Sequence, residues 1–420
     1  MEDIVMSGNS VGRRGFLATA GAASFWIVNP KAVRGTQANS AVRIGVLGCG
    51  GRGTYVATGF LRNTASRITA LADLFQDQLD AASEHFAKLG SPVDKSQIFR
   101  GSKAHQQIAA SKEVDLVLIT TPPYFHPEHF EAAVAGGKHV YLEKPVAVDV
   151  PGSKRVLEAA EKVDGKLSLE VGFQLRMAPP FVELVRRLHA GAIGEISFAQ
   201  GHYFCPFLPG RVVGLASPAE LRLRRWLHDR VLSGDILVEQ NIHVIDLCNW
   251  VLRGHPVKAV GSGGRKGRFD EGDAWSHYSV TFFYDDDVLM SFSSTQFGDK
   301  VSTDVCARFF GPRGKCQMPY TGPVRIEGEE PWTWSWPPPE AGGPAKPPSS
   351  NIDSANDEKQ KAFIESIVSG KFHNQIYQGA VSALSCIMGR TAAYTGRPVT
   401  WEETFRSRET WDARINLDRL

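Results

Sequence analysis

Neither sign of charge is in excess: 47 Lys+Arg face 45 Asp+Glu, a formal net charge of +2 over 420 residues. So small a net charge builds no field for a polyanion, and nucleic acid is not an expected partner. Cysteine is scarce, six residues in all, too few to staple a chain of this length through disulfides. The 41 Gly and 24 Pro follow no period, which excludes collagen-like and low-complexity architectures. There are no internal repeats and no coiled-coil heptads. Long apolar runs are missing as well, so no membrane span is expected. What is present is 42% hydrophobic residues, enough to offset the ordering entropy of folding, in a length that suits two domains with appendages.

The first forty residues stand apart. Arg13-Arg14-Gly15-Phe16-Leu17 precedes a weakly apolar run, Ala18 to Val28, and then a polar stretch to Ser40. A charged start, a short apolar middle and small residues beyond it form the layout of an export signal. The arginine pair with Phe-Leu resembles the twin-arginine type, which carries proteins across a membrane already folded. Residues 1–40 are therefore expected to be a signal, with a cleavage zone near Gln37 to Ala41, and the mature protein is expected in the periplasm or otherwise exported. Arg13, Arg14, Lys31 and Arg34 against Glu2 and Asp3 account for the whole net charge.

Ala41 to Leu47 is short, apolar and β-branched, and reads as a buried strand. It feeds Gly48-Cys49-Gly50-Gly51-Arg52-Gly53 and then an amphipathic helical stretch. The glycines at 48, 50 and 53 fit G-x-G-x-x-G: a tight turn, a close backbone approach to a pyrophosphate, and close helix–strand packing. Gly51 and Arg52 lie in the same turn. A second strand, Arg67 to Ala72, ends at Asp73, about twenty positions on, where a carboxylate binds a ribose 2′-hydroxyl and repels a 2′-phosphate. NAD is the expected cofactor, with Arg52 keeping NADP open. Val114 to Thr120 and Lys138 to Leu142 read as further buried strands. Their carboxyl ends place Thr121, Pro122, His126, Glu143 and Lys144 among the cofactor-binding candidates.

Together Gly48 to Gly53, Glu143-Lys144-Pro145, Gly172-Phe173-Gln174-Leu175-Arg176 and His243 with Asp246 resemble the Gfo/Idh/MocA oxidoreductases. The resemblance runs from about residue 41 through nearly the whole chain. It implies an α/β fold: an N-terminal Rossmann domain with a doubly wound parallel sheet, and a C-terminal α/β domain with a large, open, mostly antiparallel sheet. The expected divisions are 41–165, 166–350 and, for C-terminal helices packing back on the first domain, 351–420. The resemblance also implies that Lys144 and His243 flank a nicotinamide and assist proton transfer, on a carbohydrate substrate, in a homodimer or homotetramer.

The residues themselves agree in part. Oxidising an alcohol requires removal of its hydroxyl proton or stabilisation of its alkoxide, and a lysine at a strand end beside the cofactor can do either. Read as one helix, residues 234–251 put Glu239, His243 and Asp246 on a shared face at i, i+4 and i+7, a stripe suited to a proton relay. Lys144, His243 and Glu239 are therefore the catalytic candidates, and no metal is expected. Gln174, Arg176, Trp226, Asn241 and Asp246 are the substrate-binding candidates. Asn241 and Glu239 stand where many relatives carry Gly and Asp. Arg222, Arg224 and Arg225 form either a grip for an acidic substrate or a solvated basic turn. Trp332, Trp334 and Trp336 form either a sugar-stacking platform or edge-strand packing.

An exported nicotinamide enzyme meets little free NAD, so a dissociating cofactor would be lost by mass action. A tightly bound cofactor is expected, loaded before export. The leading function is hydride transfer to or from a sugar, polyol or glycoside hydroxyl. The alternative is a redox-neutral glycoside hydrolase or lyase working through a transient keto-sugar.

Overall fold

The computed structural model describes residues 41–209, 216–337 and 348–420. Residues 1–40, expected to be a twin-arginine signal, lie outside the described residues. From Ala41 onward the chain is one compact unit containing two sheets.

The first sheet is built from β1 (Arg43–Leu47), β2 (Arg67–Asp73), β3 (Ile98–Arg100), β4 (Leu116–Ile119), β5 (His139–Leu142) and β6 (Leu169–Val171), in the order β3-β2-β1-β4-β5-β6. Every pairing is parallel. β4 is buried at all four positions, as expected of a strand covered by helices on both faces. β1 lies between β2 and β4, so successive crossovers leave it in opposite directions and open a crevice beyond the carboxyl ends of these strands. β6 carries the sheet to Val171, a few residues past the boundary expected at 165.

The second sheet has nine strands: β7 (Phe198–Cys205), β8 (Lys258–Gly264), β9 (His277–Phe283), β10 (Leu289–Gln296), β11 (Asp304–Gly311), β12 (Gly314–Pro319), β13 (Arg325–Gly328), β14 (Trp332–Thr333) and β15 (Val399–Thr400). Only β7 and β10 pair in parallel; the others are antiparallel. The acids between β9 and β10 are turn chemistry, with Asp286 and Asp287 in the left-handed region. Trp332 lies in the short edge strand and Trp334 just after it, packed edge-to-face. Helices Ile242–Leu252 and Ile376–Thr395 share one apolar core with β9, β10 and β11, through Ile245, Leu384, Phe282, Phe292 and Phe309.

Two expectations need correction. Residues 234–251 are not one helix but two, Asp235–Glu239 and Ile242–Leu252. The amides of Gln240 and Asn241 both turn back to the Ile236 carbonyl, and the Gln240 side chain is drawn sideways to Gln296 and Cys205. Glu239 therefore leaves the stripe it was expected to share with His243 and Asp246. The C-terminal part is not all helix: after the helix that ends at Arg406 only a short 3-10 turn, Leu417–Arg419, follows. Helix Ala355–Ser369 packs on helix Gly51–Asn63 through Gln360 and Asn63, whereas β15 joins the second sheet by pairing with β8. Residues 407–416 form neither helix nor strand.

Candidate active site

The glycine turn follows from backbone geometry. Gly48 sits at φ +95°, and a Cβ there would lie 2.8 Å from backbone atoms of Thr120 and Thr121. A Cβ on Gly53 would lie 1.9 Å from the Gly48 carbonyl oxygen, so only glycine lets helix Gly51–Asn63 start this close to β1. Around Gly50 and Gly51 the space is open: nothing stands within 4 Å of a Cβ on Gly51, and Gln78 Oε1 is 3.9 Å from one on Gly50. Bare backbone and the unpaired amides of a helix start face this space, which fits a pyrophosphate.

The Asp73 carboxylate accepts from the amides of Cys49 (2.7 Å) and Phe75 (2.9 Å). It thereby ties the turn to β2 and keeps further lone pairs for a ribose. Burial raises its pKa against these two bonds. Gly48, Gly50, Gly51, Asp73, Thr121 and Pro122 line one cavity of about 280 Å³. Trp226, a candidate for the substrate, lines this cofactor-side cavity as well.

His126 lies deeper than expected of a cofactor contact. It is fully buried, with one ring nitrogen 2.7 Å from the Pro145 carbonyl and the other 2.8 Å from that of Thr121. Burial pushes its pKa down to about 4. It joins the turns after β4 and β5, and Thr121 Oγ1 in turn meets His129 at 2.9 Å.

Arg52 reaches across from the glycine turn to Glu143, 2.7 Å away, so its guanidinium is committed to the lysine-bearing turn. Burial works against the Glu143 charge, but Arg52, Lys359 and Lys144 more than offset it and hold the carboxyl below its usual range. The next residue, Lys144, forms an ion pair with Glu239 at 2.5 Å, both side chains only about a tenth exposed. The helix break delivers Glu239 to this position. His243, the second residue of the following helix, is buried with Nδ1 unpartnered. Burial, then Lys144, Arg52 and Lys359, push its pKa well below 6.5, so the imidazole is neutral near pH 7. Beside it, both amide atoms of Asn241 are buried without partners.

Arg176 and Asp246 hold each other: two guanidinium nitrogens donate to the carboxylate at 2.9 Å each, and Ser382 adds a bond at 2.8 Å. Asp246 is 0% exposed and serves Arg176 and Ser382 rather than His243. Gln174 is half-buried at the start of the short turn Leu175–Met177. Arg222, Arg224 and Arg225 pair with Asp229, Asp77 and Glu271 respectively, which leaves them committed to acids of this chain. Among the described residues, no group of three or more His, Cys, Asp or Glu could hold a metal ion, and no helix is long and apolar enough to cross a membrane.

Sequence reading missed Lys359 and Glu170, which are 0% exposed behind Glu143. A signal existed for each. Glu170 interrupts an apolar strand, and Lys359 falls between Ala355 and Phe363 on the buried stripe of its helix.

Two family models match the chain. One, the oxidoreductase family with an NAD-binding Rossmann fold, covers residues 42–171; the other, the GFO/IDH/MocA C-terminal domain, covers 181–317. Together they span more than half of the chain. A glycosyl hydrolase family 109 protein of Streptomyces niveus is 29% identical over 168 residues, 40% of this chain and 33% of that protein. An inositol 2-dehydrogenase of Rhizobium meliloti is 26% identical over 240 residues, 57% of this chain and 64% of that protein. The chain thus matches between a third and two thirds of the length of these relatives. Among solved structures, levoglucosan dehydrogenase in complex with NADH aligns with a TM-score of 0.70 at 17% identity, over 86% of this chain and 99% of that one. Aldose-aldose oxidoreductase from Caulobacter crescentus, complexed with glycerol, aligns at 0.66 and 20% identity with the same coverage. At these identities the likeness is one of fold.

Proposed function

Because this chain belongs to the GFO/IDH/MocA oxidoreductase family, we propose that it moves a hydride between a tightly held nicotinamide cofactor, NAD rather than NADP, and a hydroxyl-bearing carbon of a sugar, polyol or glycoside. The carrying observation is the Lys144–Glu239 ion pair at the end of β5, next to a neutral, buried His243 with an unpartnered nitrogen. The cofactor supplies the carbon that accepts and returns the hydride. Lys144, anchored by Glu239, sets a positive charge where the substrate oxygen becomes anionic. His243 takes the hydroxyl proton, and the free amide of Asn241 holds a neighbouring hydroxyl. Asp73 favours NAD, and Arg52, spent on Glu143, gives a 2′-phosphate no support.

The likeness to family 109 glycosyl hydrolases favours a second reading. Oxidising one hydroxyl acidifies the adjacent C–H; the glycosidic group then leaves as that proton is removed, water adds, and the ketone is reduced again. The cofactor ends as it began and the net reaction is hydrolysis; without the water it is elimination.

Export through residues 1–40 belongs to the same proposal. Six buried, free cysteines suit a chain that folds in a reducing compartment before it crosses. Phe198 and Leu289, exposed and paired across β7 and β10, offer an apolar contact for a homodimer or homotetramer.

The test is to purify the mature protein, record the absorbance of bound nicotinamide, and supply polyols, sugars and glycosides. Lasting reduction of the cofactor supports the dehydrogenase. Release of a sugar without net reduction supports the second reading. A protein without nicotinamide, and with no affinity for it, refutes both.

A further inference from the structure

We infer that the last ten residues, 411–420, form the outer wall of the dinucleotide cavity and slow the release of the cofactor, with Leu417 and Trp226 as the closing side chains. This deepens the nicotinamide reading above and rests on it. In Trp411-Asp412-Ala413-Arg414-Ile415-Asn416-Leu417 the apolar residues are buried or half-buried and the polar ones exposed, so one side of the segment is covered.

The segment is stitched across the carboxyl ends of the parallel strands. The Trp411 amide donates to Asp149 at 3.0 Å, and the Ala413 amide to the Tyr124 hydroxyl at 3.4 Å. Arg222 donates to the Ala413 carbonyl at 2.9 Å, and Ser102 to Asp418 at 2.5 Å. Ala413, Ile415, Leu417 and Leu420 pack in one apolar cluster with Phe75, Leu223 and Trp226 among others. That cluster reaches the cavity itself, where Leu417, Leu223 and Trp226 stand with Gly50, Gly51 and Asp73.

The occupant of this side is set by Asp73. A carboxylate at the end of β2 takes the adenosine ribose, so Phe75, Ser102, Trp226 and Leu417 surround the adenosine half rather than the nicotinamide. Residues 411–420 belong to neither sheet, so they can move away without breaking any strand pairing. Opening the wall therefore gives a route for cofactor exchange that leaves the fold intact, and its low frequency sets a slow release.

The experiment uses the full mature protein, a truncation after Thr410, and Leu417→Ala. Each is loaded with NADH, and its release is followed by the fall in bound-nicotinamide fluorescence after addition of excess NAD. Thermal unfolding of the stripped proteins checks that each variant is folded. Both variants should release NADH faster, by roughly tenfold or more, with the change in the off-rate; if the truncation does not fold, Leu417→Ala decides alone. Release at the wild-type rate in folded Leu417→Ala overturns the inference while leaving the nicotinamide reading standing. A wild-type protein with no affinity for nicotinamide overturns both.

Discussion

Lys359 offers the most direct test of the electrostatics behind the site. Its ammonium group is 0% exposed, has no hydrogen-bond partner, and lies 4.9 Å from the centre of the Tyr141 ring. Burial lowers its pKa from 10.5 to about 8, although Glu143 and Glu170 both act to raise it. Between those two values the unfolded chain holds a proton that the folded chain has released, so stability rises with pH across this window and the full cost is felt below it. The difference corresponds to about 3 kcal/mol against the folded state at pH 7. Lys359→Met keeps the length of the side chain and removes its charge. The variant should be more stable than the wild type by about 3 kcal/mol at pH 7 and by about 2 kcal/mol at pH 9, where the wild-type lysine is already mostly neutral. Urea unfolding of both proteins at both pH values, at equal ionic strength, measures this, since titrations common to the two cancel in the difference. A variant less stable than wild type at pH 7 would refute the reasoning. So would a difference that does not shrink at pH 9, because either result means that neighbouring carboxylates fully compensate the charge.

Other consequences concern the site itself. Lys144→Ala should lower kcat by about a thousandfold or more, through loss of oxyanion stabilisation, with circular dichroism unchanged; a loss of less than tenfold would remove Lys144 from the chemistry. His243 is neutral at pH 7 because burial and nearby cations lower its pKa. The pH profile of kcat/KM should therefore fall only on acidification well below 6.5, and His243→Asn should abolish that limb while slowing turnover by roughly a hundredfold or more. Gly53→Ala would place a Cβ 1.9 Å from the Gly48 carbonyl oxygen and should strip the purified protein of nicotinamide, as judged by its absorbance. Asp73→Ser should shrink the preference for NAD over NADP by about tenfold or more, through loss of repulsion toward the 2′-phosphate, in a comparison of the two dissociation constants.

The parts legible in the sequence were those governed by local rules. Buried parallel strands read as short apolar runs, and the glycine turn, with Asp73 at the end of the next strand, is set by backbone sterics and spacing alone. Lys144 at a strand end was legible for the same reason. What the turn after β5 meets in space was not. Glu239 reaches Lys144 because the helix breaks at Gln240 and Asn241, and nothing in a 3.6-residue period marks a break at a residue whose side chain accepts a long-range bond from Gln296. Arg176 and Asp246, 70 residues apart, read as two free polar groups until the fold joined them. Trp226 was legible only as a substrate candidate, and the segment after Thr410 drew no reading of its own; that Trp226 and Leu417 line one cavity depends on contacts between elements far apart in the chain. Periodicity and glycine sterics act over a few residues and can be read along the chain. Ion pairing, desolvation and closure act across space, so the tertiary structure alone decided which charges are spent, which histidine stays neutral and what covers the cavity.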